Sequence, residues 1–552
     1  MTALRTLTRA ALVPLLALAG LAPAAAAITC EREVSADIVA FDMPLMYNRL
    51  GASNINGAIY ALKRDVINRS SKLPLTAGGA ATPGQVELRP DKRVRPIVLR
   101  VREGDCLTVR LTNLLTPTPN PNNVPHVNAA GQQFTVFIDE QIASRVVGFT
   151  ASGLQPVNSI DDMASMVGKN HLAGGQGTPD NATGAQAAPG QTRTYKVYAA
   201  KEGVHVVTSE GATVGNDANQ GHSGSGLFGQ VIVEPRGARI YRGQVTEEEM
   251  RLATVGTLPT GQPKLDYEAT YPAGGVWAQE GKAGLPVLNM MKCAGTSCEI
   301  VHSEINGLIA GPNADGSFPP GTYPLESTGR RNPTVPNRLE AFRDFAQVWH
   351  DEPATAQAFP GFYVDDPVFS YVLAGVKDGF MINYGSGGIG SEIIANRLGV
   401  GPMHDCLSCA YEEFFLTSFA VGDPALIVDV PANLGLEALL PGQAPPPGAT
   451  GMKATRVIGP EDPSNVHMSY IGDHVKFRHT HIGKEQHVFH LHNHQWLYNP
   501  NDDNSNYLDA QGIGPGAGYT YEINFGGSGN RNKSAGDAIF HCHFYPHFAQ
   551  GM

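Results

Sequence analysis

Residues 95–115 read RPIVLRVREGDCLTVRLTNLL. Apolar and polar residues alternate on both sides of the turn Glu103-Gly104-Asp105. A period of two sends successive side chains to opposite faces of an extended chain, so this stretch can bury one face as a strand and cannot do so as a helix. TRTYKVYA at 192–199 and GLFGQVIVEP at 226–235 repeat the pattern. The chain carries 63 glycines and 40 prolines, which separate short strands and interrupt helices. An all-β chain of stacked sandwiches is therefore expected, and its 552 residues suggest two to four domains.

Composition along the chain suggests three regions. The first runs over 28–238. The second, 239–440, opens with a loop-rich insert and returns to strand signals at FRDFAQVWHDE (342–352), GFMINYG (379–385) and EFFLTSFAVGDPALIVDV (413–430). PGQAPPPGATG at 441–451 has the composition of a linker. The third region, 452–552, starts new strands at VHMSYIGDHVKFRHTHI. A Gly-Asp pair followed by an alternating strand occurs at Gly104-Asp105 and again at Gly472-Asp473, which hints at duplicated sandwiches.

The N-terminus suggests a compartment. Arg5 and Arg9 precede the apolar run ALVPLLALAGLAPAAAA, which closes on the small residues Ala25, Ala26 and Ala27. This reads as a secretory signal over 1–27, with export to periplasm or medium. No later apolar run is long enough to span a membrane. The net charge of −11, with no basic stripe, counts against nucleic acid as a partner. Exported cysteines usually pair. Of the seven, Cys293 and Cys298 make one local pair, Cys406 and Cys409 another, and Cys30 with Cys106 can close a third bridge. CLSC with nearby His404 can also be read as a redox or metal pair. Cys542 is left over, and it stands between two histidines. An unpaired cysteine in an oxidising compartment is a hazard unless a metal holds it.

Eleven of the 18 histidines lie after residue 450, in two dense clusters: HVFHLHNH (487–494) and HCHFYPH (541–547). On extended strands, His541 and His543 share one face and Cys542 takes the other. His490 and His492 likewise share a face. Pairing the two strands predicts two metal sites on opposite sides of one backbone. One is imidazole-rich, from His490, His492, His541 and His543. The other is built around Cys542, with His487, with His547 returned by the turn at Pro546, and with Met552 as a long axial contact. Two histidines, a cysteine and a methionine form the ligand set of a blue-copper site. Zinc is the rival, but structural zinc favours paired cysteines or a closed four-ligand cage.

These motifs carry a family resemblance. HVFHLHNH resembles the HPFHLHGH motif of multicopper oxidases, and HCHFYPHFAQGM resembles their HCHxxxHxxxxM motif. FRHTHIGKEQHVFHLHNHQWL, INFGGSGNRN and IFHCHFYPHFAQGM are similar to the large bacterial manganese(II)-oxidising branch. The resemblance is specific over 465–552 and diffuse over 90–430. It implies tandem cupredoxin-like Greek-key sandwiches, one type 1 copper, and a trinuclear copper cluster reducing dioxygen to water. Carried over, His487, Cys542, His547 and Met552 bind type 1 copper. His490 binds type 2 copper, and His492, His541 and His543 bind the type 3 pair. Cys542, His541 and His543 form the electron path. No organic cofactor is implied.

The chain departs from that pattern in its first region. Two further His-x-His motifs are expected there, but Thr150 and Ser152 stand at one and Thr208 and Glu210 at the other. His205 and His222 lie nearby without His-x-His spacing. The sequence therefore encodes a complete type 1 site and half a trinuclear cluster. It is expected to be part of a longer protein, or to meet another subunit, that supplies the remaining histidines. His479-Thr480-His481 and His494 read as supports behind the ligands. Asp502, Asp503 and Asp509 are candidate carboxylates for a metal substrate, with a solvated loop as the plainer reading. The expected function is an exported copper oxidase taking electrons from a reducing substrate, with manganese(II) first by resemblance. A laccase-like oxidase of phenols or other metals is the second reading. An electron-transfer protein using only the type 1 site is the third.

Overall fold

In the computed structural model the described residues are 28–46, 53–54, 56–118, 123–127, 133–137, 145–159, 162–164, 185–211, 221–319, 339–351, 380–385, 427–430, 453–457, 467–500, 502, 505–523, 538–544, 547 and 552. Among them the regular secondary structure is almost wholly strand, with three short α-helices and one 3-10 turn. The expected signal at 1–27, the linker at 441–451, and Cys406 and Cys409 lie outside the described residues.

Two β-sandwiches result. In the first, one sheet runs in the order Gln155–Pro156, Thr192–Tyr198, Asp105–Asn113, Arg32–Asp42, Ser297–Ile300, Met291–Ala294, with Ala58–Leu62 also paired to Arg32–Asp42. The facing sheet runs Thr150–Ala151, Gly203–Thr208, Phe228–Glu234, Ile97–Arg102. Arg32–Asp42 lies parallel to Asp105–Asn113, and Phe228–Glu234 parallel to Ile97–Arg102, so the connections cross between sheets. The alternation read at 95–115 explains the arrangement. Leu107, Val109 and Leu111 turn inward with Leu99 and Val101 into one apolar core. Gly104 turns the chain at φ +94°, and a side chain there would collide with the Glu31 carboxylate.

The second sandwich has a sheet ordered Arg239–Arg242, Asn306–Ala310, Phe342–His350, His474–His481, Gly518–Ile523. It faces a three-stranded sheet ordered Ala510–Ile513, His487–Leu491, Phe540–Cys542. Phe342–His350 pairs in parallel with His474–His481, so described strands from 239–440 and 452–552 share one sheet. The hairpin Met291–Ile300 instead extends the first sandwich, lying parallel to Arg32–Asp42. Strand partners are chosen by matching buried faces and open edges, and nearness along the chain does not decide them. The core between the second pair of sheets is aromatic, with Trp349, Phe477, Phe489, Trp496 and Tyr521 all buried.

Buried charge joins the two sandwiches. Arg100 of the first donates to Asp344 of the second at 2.9 Å, and Arg478 donates to Asp344 at 2.6 Å and to Glu234 at 3.1 Å. Glu202 receives Arg478 at 2.9 Å and Lys476 at 2.7 Å. Glu234 is held above the ordinary carboxyl range, first by burial and then by the neighbouring Asp344.

Disulfides link Cys30 to Cys106 and Cys293 to Cys298. Cys542 is free and buried. The first bridge closes a separation of 76 residues and the second one of 5. Loop-closure entropy then predicts that Cys30→Ala costs about 4 kcal/mol and Cys293→Ala about 2 kcal/mol. Urea unfolding of the two variants checks the difference, and equal losses would count against it. Among the described residues no helix is long and apolar enough to cross a membrane.

Candidate metal centre

The strand His487–Leu491 runs antiparallel to Phe540–Cys542, with Phe489 opposite Cys542 and His490 opposite His541. Directly opposed residues share a face. Cys542 and Phe489 therefore point into the aromatic core, while His490 and His541 point away from it. The two sides of this strand pair carry two different donor sets.

On the core side, His487, Cys542 and His547 converge and are all buried. Cys542 Sγ lies 3.6 Å from His487 Nδ1 and 3.5 Å from His547 Nδ1, and the two Nδ1 atoms are 2.9 Å apart. The outer nitrogens fix the tautomers. His487 Nε2–H donates to Asp351 Oδ2 at 2.9 Å, and His547 Nε2–H donates to Glu485 Oε2 at 3.0 Å. An ionised carboxylate only accepts, so each Nε2 carries the proton and each neutral Nδ1 presents a lone pair. Two lone pairs and a sulfur thus face one another, an arrangement that a cation resolves. Met552 is 4% exposed in the same core cluster as Cys542. Its backbone amide donates to His547 O at 3.1 Å, and its carbonyl accepts the Cys542 amide at 3.2 Å. Phe380 stacks on the His547 ring with 4.5 Å between centroids and shields it from water.

Burial raises the Cys542 thiol above its ordinary range. Burial also lowers His487. For Asp351, burial opposes ionisation, but the His487 hydrogen bond and the amides of Lys484 and Glu485 hold the carboxyl down at about 2. A metal at this site must displace the thiol proton. Its affinity is therefore expected to fall about tenfold for each unit by which the pH is lowered while Cys542 is protonated, measurable by competition with a chelator of known affinity.

On the opposite side, His490, His492 and His541 bring one nitrogen each within 4.8 Å of the others. His492 Nε2 and His541 Nε2 are 3.0 Å apart. His490 Nδ1–H donates to Asp509 O at 2.7 Å and His541 Nδ1–H to Cys542 O at 2.9 Å, which leaves Nε2 as the open donor of both rings. His543 stands over the same group, 5.2 Å from His490 and 5.8 Å from His541 between ring centroids. His541 is pushed down to about 4, first by burial and further by the neighbouring imidazoles. The metal-free fold should accordingly weaken as pH falls from 6.5 towards 4, because the unfolded chain binds a proton that folded His541 refuses. Acid titration followed by circular dichroism tests this, and His541→Gln should shrink the loss.

Other residues singled out in the sequence separate. His481 packs edge-on to His487 at 4.5 Å, whereas His479 lies in the aromatic core, 4.7 Å from Trp349. His494 donates to the carbonyl of His492 at 2.9 Å. Asp503 lies outside the described residues. In the first sandwich, Thr150 pairs with Thr208 across two strands, and the Thr208 hydroxyl donates to Glu210 at 2.8 Å. The Thr150 hydroxyl instead accepts the Ala164 amide at 3.1 Å, and none of Thr150, Ser152, Thr208 and Glu210 offers an imidazole. His205 donates to Ser152 O, and His222 bonds the Ser209 hydroxyl. Asp351 and Glu485, which stand behind His487 and His547, belong to no ligand motif in the sequence. Asp351 follows a strand in WHDE, and nothing in the spacing connects it to a histidine 136 residues away.

No protein-family model and no curated protein sequence matches the chain. Among solved structures, a copper nitrite reductase from Nitrosomonas europaea aligns over 94% of this chain and 92% of its own, at 12% identity and a TM-score of 0.36. A multicopper oxidase, mgLAC, aligns over 93% and 81%, at 12% identity and a TM-score of 0.35. A blue copper oxidase from Nitrosomonas europaea aligns over 94% and 82%, at 12% identity and a TM-score of 0.36.

Proposed function

We propose that this chain is an exported copper oxidoreductase whose type 1 centre is held by His487, Cys542, His547 and Met552. The observation that carries the reading is the convergence of two imidazole lone pairs on the buried Cys542 sulfur. Nitrogen, thiolate and thioether donors together favour copper over zinc or the harder cations. Copper there supplies one-electron redox chemistry.

The side chains around the site divide the work. His547 lies next to Glu485, whose side chain is 46% exposed, so it is the ligand through which electrons enter from solvent. Phe380 and the aromatic core keep water from the thiolate. Cys542 is bonded on both sides to residues of the imidazole group, so its backbone would give electrons a short covalent path to a metal held by His541 and His543. His490, His492, His541 and His543 are read as one half of an oxygen-reducing copper cluster. Dioxygen reduction to water then requires imidazoles beyond the described set. Manganese(II) is the first substrate reading, with phenols or other metal ions second. The hydroxyl and carboxylate groups at Thr150, Thr208 and Glu210 favour the further alternative of electron transfer through the type 1 site alone.

Copper-reconstituted protein should be analysed for copper per chain, visible absorption and oxygen uptake. An intense thiolate band carries the reading. Oxygen uptake with a reductant separates the oxidase from the electron carrier. A colourless copper-loaded protein would sink the type 1 assignment.

A further inference from the structure

Asp351 is fully buried, at 0% exposure, just beyond the end of the strand Phe342–His350. Four features converge on it. His487 Nε2–H donates to Oδ2 at 2.9 Å. The backbone amides of Lys484 and Glu485 donate to Oδ1 at 2.7 Å and Oδ2 at 2.8 Å. Gly483 passes so close that any Cβ there would overlap Oδ1, so the loop fits the carboxylate only with glycine at that position. The chain 482–486, which leads from one strand into the ligand strand His487–Leu491, is thus wrapped around one carboxylate.

His481 lies beside this group, with its ring 4.5 Å from that of His487. Asp351, His481 and His487 are close enough to be read as a second cation site. The hydrogen bonds argue otherwise. His481 Nδ1 accepts the Gly483 amide at 3.1 Å, and its Nε2–H donates to the carbonyl of Glu485. Neither His481 nitrogen has a lone pair to offer. The group is satisfied internally, and what it leaves open is His487 Nδ1, directed at Cys542.

We propose that Asp351 is the positioning residue of the metal centre. It fixes His487 in the Nε2–H tautomer and in its ring orientation before any metal arrives, and it sets the electron density that His487 donates. This rests on the copper reading above. The carboxylate stands behind a buried ligand, out of reach of solvent, so it acts on affinity and redox potential and does not bind substrate. Outer carboxylates of this kind raise ligand basicity and restrict ring rotation.

The test uses the full chain, wild type and Asp351→Asn, loaded with copper(II) chloride. Asparagine keeps the shape but offers one acceptor oxygen where three donors must be met. Copper affinity should fall by about 10- to 100-fold, with a shifted thiolate band and a changed reduction potential. A purely structural role would lower the unfolding temperature and leave band and potential unmoved. Wild-type colour with unchanged affinity, band and potential in Asp351→Asn overturns the proposal. A second measurement needs no variant: 15N NMR of the wild-type metal-free protein should report His487 protonated at Nε2. Protonation at Nδ1 overturns the proposal even if Asp351→Asn fails to fold. A wild-type protein without a thiolate band overturns the copper reading instead, and the NMR result alone then decides whether Asp351 sets the His487 tautomer.

Discussion

Cys542→Ser is expected to abolish the thiolate absorption and empty the core-side site while leaving the fold intact. The sulfur is the only soft donor among the three convergent groups, and a serine hydroxyl stays protonated where a thiol gives up its proton to a metal. The substitution is nearly isosteric in a buried position, so the loss of stability should be small beside the loss of the site. The imidazole group faces the other way and keeps its own donors. On the proposed copper reading, copper per chain should therefore fall by the core-side ion alone, and any oxidase turnover should drop to background, since that reading takes electrons in at Cys542. Metal analysis with absorption spectroscopy decides this. A serine variant that kept the colour or the turnover would remove Cys542 from the mechanism.

Asp344→Ala is expected to cost about 4 kcal/mol, because breaking a buried ion pair strands the remaining charge. Here two guanidinium groups, both about 1% exposed, lose a carboxylate partner: Arg100, which keeps Glu234 at 3.4 Å, and Arg478, which keeps Glu202 at 2.9 Å. Some of the loss is recovered, since Asp344, after burial, is what holds Glu234 above the ordinary carboxyl range. With Asp344 gone, Glu234 ionises more readily and answers Arg478 at 3.1 Å and Arg100 at 3.4 Å. Adding Glu234→Gln to Asp344→Ala should therefore be worse than additive. Urea unfolding of the two single variants and the double variant checks the coupling. Strict additivity would mean that Glu234 does not respond.

The two faces of the ligand strands were legible from spacing. His-x-His with a cysteine between fixes which side chains share a face once the segment is extended, and Phe540–Cys542 is extended. The alternation at 95–115 likewise reported its own burial, because a half-buried strand writes its inward face into every second residue. Two of the three proposed disulfides were readable for different reasons: Cys293 and Cys298 are close in the chain, while Cys30 and Cys106 were what remained.

Partners distant in the chain were not legible. The sequence suggested a boundary at 441–451, yet Phe342–His350 and His474–His481 lie side by side in one sheet. That single pairing also delivers Asp351 to His487. Strand period, donor types and the face on which each donor lies could be read from the residues, because all three follow from local backbone geometry. The folded arrangement was needed to settle which strands are neighbours, which carboxylates stand behind His487 and His547, and which charges bind the two sandwiches. Those choices depend on the fit between distant surfaces, and no local pattern in the chain records it.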